Sequence, residues 1–226
     1  MALTRLDSDG RRKAIVTAAV PLFARNGFAG TTTRELAAAA GVSEALLFKH
    51  FPSKQSLYRE ILLLGCEGDP ALEKLATLPA STETLAGMIR FMVRRFVLGA
   101  EVEREELDSR MRLLLHSCLE DGAYARELFT AIAPRVVPLF TASVAAAEAA
   151  GDLALGPDSV ANRFWFAQHV AAMMAFAALP KECCIPYEGD VEQIVDEATR
   201  FILRGIGMGE AAIAAALSAP LAAAAD

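Results

Sequence analysis

Between Thr32 and Lys54 the chain gathers hydroxyls, cations and small side chains in a pattern suited to a polyanion. Thr32, Thr33 and Arg34 open one predicted helix. Free N–H groups and hydroxyls at such a start suit a phosphate, and Arg34 is long enough for a phosphate or a groove edge. Ser43, Glu44, Ala45 and Lys49 fall on or near the start and exposed face of the next helix. Those side chains can meet base edges, with Ala45 suited to a thymine methyl. His50 and Lys54 follow, and both suit phosphates.

The charge distribution points the same way. The chain has a net charge of -6, yet residues 1–60 hold nine Lys/Arg against five Asp/Glu, a local +4. The rest of the chain carries thirteen against twenty-three, a local -10. A basic N-terminal quarter on an acidic protein predicts a polyanion partner at that end only.

Enzyme chemistry finds little support. The three histidines are His50, His116 and His169, and none has glutamate three residues before it. The di-iron pattern of helical bundles is therefore absent, as are HExxH and GxSxG. Gly205-Ile206-Gly207-Met208-Gly209 resembles a nucleotide loop, but it follows a predicted helix and has Glu210 where GxGxxG needs glycine. A helix end is the better reading. No enzyme activity, metal or cofactor is expected. The cysteines are Cys66, Cys118, Cys183 and Cys184, with no CxxC. Reduced thiols fit best, with a redox switch at Cys183-Cys184 as the alternative. Met1 to Gly10 is polar with no apolar run behind it, and no stretch has about 18 uninterrupted apolar residues. A cytoplasmic protein without membrane attachment is expected.

The elements that must position these groups read as helices throughout. Arg11 to Asn26 places Ile15, Ala18, Ala19, Leu22 and Phe23 on one face, and Asn26-Gly27 ends it. Thr32 and Glu35 form a capping box for a helix reaching about Ala40. Ser43 caps a third helix ending near His50, where Phe51-Pro52 stops it. A fourth runs from Lys54 to about Leu64. Residues 65–80 are broken by Gly68, Asp69-Pro70 and Pro79, which predicts a domain boundary there. Longer helices follow over Thr82–Leu98, Leu107–Leu119, Tyr124–Ala150, Asp158–Leu179 and Asp190–Arg204. Pro134 and Pro138 are expected to kink the third of these. The domains expected are 10–67, 68–209 and an alanine-rich tail, 210–226, read as frayed helix or disorder.

Thr33 to His50 has the mechanics of a helix-turn-helix. Ala37 permits close approach, Gly41 supplies a positive φ, and Val42 and Leu47 act as apolar plugs. Such a unit lays its second helix in a major groove while the first crosses the backbone. The stretch Ala18 to Leu57, "AAVPLFARNGFAGTTTRELAAAAGVSEALLFKHFPSKQSL", resembles the tetracycline-repressor (TetR) family of bacterial regulators. The marks are "LF...GF..TT", "AGVS" at the turn and "F.HF.SK..L" after it. The resemblance covers roughly the first 60 to 70 residues.

It implies an all-α protein: a three-helix DNA-binding domain, a linking fourth helix, and a larger helical domain that dimerises and holds a ligand. Double-stranded operator DNA is the implied partner, repression the usual outcome, and release by a small effector the usual switch. Phe48 stands where the family often has tyrosine. The lost hydroxyl leaves packing against sugar. The long helices 158–179 and 190–204 are the expected homodimer contacts, one apolar on many sides and the other with a single clean stripe. Met88, Met92, Phe96, Leu115, Phe140, Phe164, Trp165, His169 and Met173 are the candidate lining of a largely apolar effector site. Each reads first as a core side chain, His116 and His169 included.

Overall fold

The computed structural model describes residues 7–66, 70–98 and 104–218. It has eleven helices among those residues and no strand. The first four are α1 (Ser8–Asn26), α2 (Thr33–Ala39), α3 (Glu44–His50) and α4 (Lys54–Cys66). Next come α5 (Pro70–Ala76), α6 (Thr82–Val97), α7 (Arg104–Leu119) and α8 (Ala123–Ala149). The series ends with α9 (Val160–Ala177), α10 (Val191–Ile206) and α11 (Glu210–Ser218). Starts follow side-chain caps. Asp7, Thr32, Ser43, Ser81, Ser159 and Asp190 each accept a hydrogen bond from a backbone N–H of the first turn.

The chain divides into two compact units. One holds 1–67 together with 108–130, and the other holds 68–107 and 131–226. Segment 108–130, placed by sequence reading in the second domain, thus packs with the first unit. Its fastening there is aromatic. Phe23, Phe28, Tyr58 and Tyr124 form a continuous chain, with Tyr58 and Tyr124 centroids 5.3 Å apart. Such contacts between distant segments carry no local sequence signal.

In the second unit α6 is the central helix. Leu85, Ala86, Met88, Ile89 and Val93 are buried along it. It packs against α9, α10 and α11. Phe140 and Val144 of α8, Phe164 of α9 and Ile202, Leu203 and Ile206 of α10 complete the core. Arg94 pairs with Glu192, and Arg90 with Asp196 at 3.2 Å, tying α6 to α10.

Within the alanine-rich tail, residues 210–218 are a helix whose Ile213 and Ala216 bury against the core; residues 219–226 lie outside those described. Helix α8 continues through Pro134 and Pro138. It is also long and apolar enough, by length and composition, to cross a membrane. Four of its apolar residues, Val136, Phe140, Val144 and Ala147, bury in the core of the second unit.

Candidate nucleic-acid interface

The interface is built on a small, closed core. Ile15, Val16, Ala19 and Phe23 from α1 bury with Leu36, Ala37, Leu47, Phe51, Leu57 and Ile61. Ala37 is 3% exposed, so a larger side chain there would push α2 off its neighbours. The turn between α2 and α3 closes by Val42 N–H donating to the Ala37 carbonyl at 3.0 Å. Gly41 takes φ 63° in that turn, where any other residue would be strained.

This framework leaves Glu44, Ala45, Phe48 and Lys49 of α3 exposed, Phe48 at 43%. Ser43 is exposed too, and its hydroxyl caps α3 by accepting from Leu46 N–H at 3.2 Å. Thr32 and Arg34 are exposed at the start of α2, and Thr33 is half-buried. Thr32 is occupied by its capping box: its N–H and its hydroxyl both donate to Glu35 Oε2, at 2.8 and 2.7 Å. Those bonds, the backbone one foremost, lower the Glu35 pKa from the usual carboxylate value. Thr33 donates its hydroxyl to Glu44 Oε2 at 2.9 Å, joining the start of α2 to the start of α3. His50 is half-buried at the end of α3.

Lys54 departs from the phosphate role expected of it. Its ammonium donates to the carbonyls of Phe28 and Thr31 at 2.7 and 2.9 Å and lies 4.2 Å from the Phe28 ring centroid. Two of its three donors are spent on the loop between α1 and α2. Lys54→Met is therefore expected to loosen that loop. It should change the slope of log K against log salt by much less than one unit, in filter binding over a salt series.

Sequence reading missed Arg12. Its guanidinium grips both carboxylate oxygens of Glu60 at 2.9 Å and donates to the His50 carbonyl at 2.8 Å. It also lies 4.3 Å from the Phe51 ring centroid. One side chain thus fixes the end of α3 relative to α1 and α4. Nothing local in "DGRRKAIV" separates Arg12 from its basic neighbours, since the partners lie 38 and 48 residues away.

The bond from Arg12 is the main reason the Glu60 pKa is lowered, with burial opposing it. A lowered carboxylate pKa stabilises the fold above the ordinary carboxylate range. That contribution is lost as pH falls through the folded-state value. Arg12→Ala should cost about 1–2 kcal/mol by chemical denaturation at neutral pH, a screened figure because this side chain is 38% exposed. The difference between wild type and variant should shrink on acidification, and operator affinity should fall with an unchanged salt slope.

Comparison with known proteins agrees with this architecture. Residues 15–61 match the family described as bacterial regulatory proteins, tetR family. Residues 15–61 are thus a TetR-type DNA-binding segment, and the chain is similar to regulators of that family. It is a DNA-binding regulator rather than an enzyme. The HTH-type transcriptional repressor KstR2 of Rhodococcus jostii (strain RHA1) is 29% identical over 151 residues, 56% of this chain and 74% of the relative. The HTH-type transcriptional regulator RutR of Escherichia coli (strain K12) is 44% identical, but over 52 residues, 23% of this chain and 24% of the relative. Among solved structures, AibR in complex with isovaleryl coenzyme A and operator DNA is similar at a TM-score of 0.64 and 18% identity. That match covers 84% of this chain and 97% of AibR. At such identity it shows the shared fold.

The candidate effector-lining residues separate into two groups. Met88, Phe140 and Phe164 are buried in the core of the second unit, with Met92, Phe96 and Trp165 packed against it. Phe164 makes edge contacts with both Phe140 and Trp165, at 5.4 and 5.0 Å. Leu115, His169 and Met173 do not join them. Leu115 is exposed on the part of α7 that belongs to the first unit, and His169 and Met173 are exposed on α9. Helical periodicity does not separate two opposite apolar faces when both are apolar, which is the condition of α9.

Proposed function

We propose that this TetR-like regulator is a repressor that binds a pseudo-palindromic operator as a homodimer and is released by a small, largely apolar effector. The observation that carries the reading is a pair of faces with complementary needs. Helix α3 presents Glu44, Ala45, Phe48 and Lys49 at its exposed face, a polar and small-residue surface with one aromatic, as a groove reader can use. Helices α9 and α10 expose Phe166 at 64%, Met173 at 65% and Phe201 at 66%. Large apolar side chains this exposed on adjacent helices need a cover. Met173 and Phe201 line an open depression of about 800 Å³ with Val170, Met174 and Ile194, and Glu197 and Arg200 also reach it. A second copy related by a two-fold axis would bury this surface in an isologous contact through 158–179 and 190–204. The same axis can set two α3 helices about 34 Å apart, one turn of DNA.

The effector part rests on the cluster of Met88, Met92, Phe96, Phe140, Phe164 and Trp165. Methionine and aromatic side chains suit an apolar molecule, and methionine repacks to admit one. AibR is a fold relative whose structure holds both an acyl coenzyme A and operator DNA.

Two measurements test the reading. Light scattering should report a dimer at micromolar concentration; a stable monomer would refute the assembly. Calorimetric titration of a candidate effector should show affinity falling when operator is present, by the same factor as the effector weakens operator binding. Equal effector affinity with and without operator would remove the switch.

A further inference from the structure

The hydrogen bond between Thr33 and Glu44 bears on how bases are read, given the operator-binding role above. Glu44 is an exposed carboxylate at the start of the helix that enters the groove. Phosphate repels it, so the DNA backbone offers it no favourable contact. Its side chain is nevertheless held, because Thr33 donates to Oε2 at 2.9 Å from the start of α2. Oε1 has no such bond from Thr33. A held carboxylate can only accept, which restricts the bases it can meet. Guanine presents O6 and N7, and thymine O4, all acceptors. Adenine offers an N6 amine, but with the N7 acceptor beside it. Cytosine alone offers the N4 amine with no neighbouring acceptor of its own in the major groove.

We infer that Glu44, positioned by the Thr33 hydroxyl, reads a cytosine in each half-site by accepting from its N4 amine. Glu44 is the specificity residue and Thr33 a positioning residue acting through it. The test is selection of bound sequences from a randomised DNA library by the full chain, followed by affinity measurements on single-base operator variants. Wild type should fix cytosine at one position in each half-site. Glu44→Ala should relax that position alone, lowering the preference for cytosine about five- to tenfold. Glu44→Gln should move the preference at that position towards adenine, whose N6 and N7 match an amide. Thr33→Val should blur the same preference, and Thr33→Ser should restore it. A merely structural role for Thr33 would change affinity for all sequences without touching that ratio. If Glu44→Ala raised affinity for every sequence equally and left the preferences intact, Glu44 would be a simple repulsive charge and the inference would fall. If wild type enriched no sequence at all, the operator reading itself would fail, and this inference with it.

Discussion

Phe201→Glu is expected to yield a folded monomer that has lost operator binding by at least about a hundredfold. Phe201 is 66% exposed on α10, so its replacement opens no cavity in the core. In the proposed dimer it would instead bury a carboxylate against the partner's apolar surface. Burying an unpaired charge costs several kcal/mol, more than a modest isologous contact can spare. DNA affinity then falls because each half-site is held by one reader, and the second is no longer delivered at high effective concentration. The loss should appear in light scattering as halved mass and in a gel shift as lost affinity, with helical content by circular dichroism unchanged. Phe140→Ala provides the contrast. Phe140 is fully buried, so it should lose about 3–5 kcal/mol of stability. A Phe201→Glu variant that stays dimeric would show that α9 and α10 do not hold the copies together.

Much of the DNA reader is legible in the amino-acid sequence alone. A capping box, a turn glycine and small residues at fixed spacing are local signals, and Thr32, Glu35, Gly41 and Ser43 all act at short range. Local sequence does not carry the destinations of long side chains. Lys54 and Arg12 are both cations in the basic quarter, and composition assigns both to an anion. The fold spends Lys54 on the Phe28 and Thr31 carbonyls and Arg12 on Glu60 and the His50 carbonyl. Those partners are distant in sequence, so no window of periodicity contains them. The same limit applies to Tyr124. It lies in the first turn of α8, yet its ring packs at a tilt against Tyr58 of α4, within the first unit that includes residues 108–130. In the second unit the periodic pattern locates the helices well. It does not say which apolar face of α9 turns inward, which is why sequence reading groups His169 and Met173 with Phe164.

The glycine-rich run at the end of α10 allows two substitutions of opposite sign only two residues apart. Gly207 is the left-handed cap of α10, with φ 107°, and its N–H donates to the Arg204 and Leu203 carbonyls. A side chain there meets two obstacles. The backbone conformation disfavours any Cβ. The Cβ would also lie 2.6 Å from the carbonyl oxygen of Ala154, a backbone atom that cannot swing aside. That carbonyl is fixed because Ala154 N–H donates to the Gly207 carbonyl at 3.0 Å, and Leu153 bridges to Met208 beside it. The buried guanidinium of Arg163 donates to the Ile206 carbonyl in the same corner. Gly207→Ala should therefore destabilise the second unit by about 3 kcal/mol, combining left-handed strain with a displaced loop. Gly205 lies inside α10, is exposed, and has nothing within 4 Å of its would-be Cβ. Gly205→Ala should stabilise by up to about 1 kcal/mol, through helix propensity and a less flexible unfolded chain. Thermal and urea unfolding of the two variants, measured beside wild type, decide the matter. If both glycines tolerated alanine equally, the junction between α10 and the 152–154 loop would not be a packed cap, and the assignment of Gly207 to helix termination would be wrong.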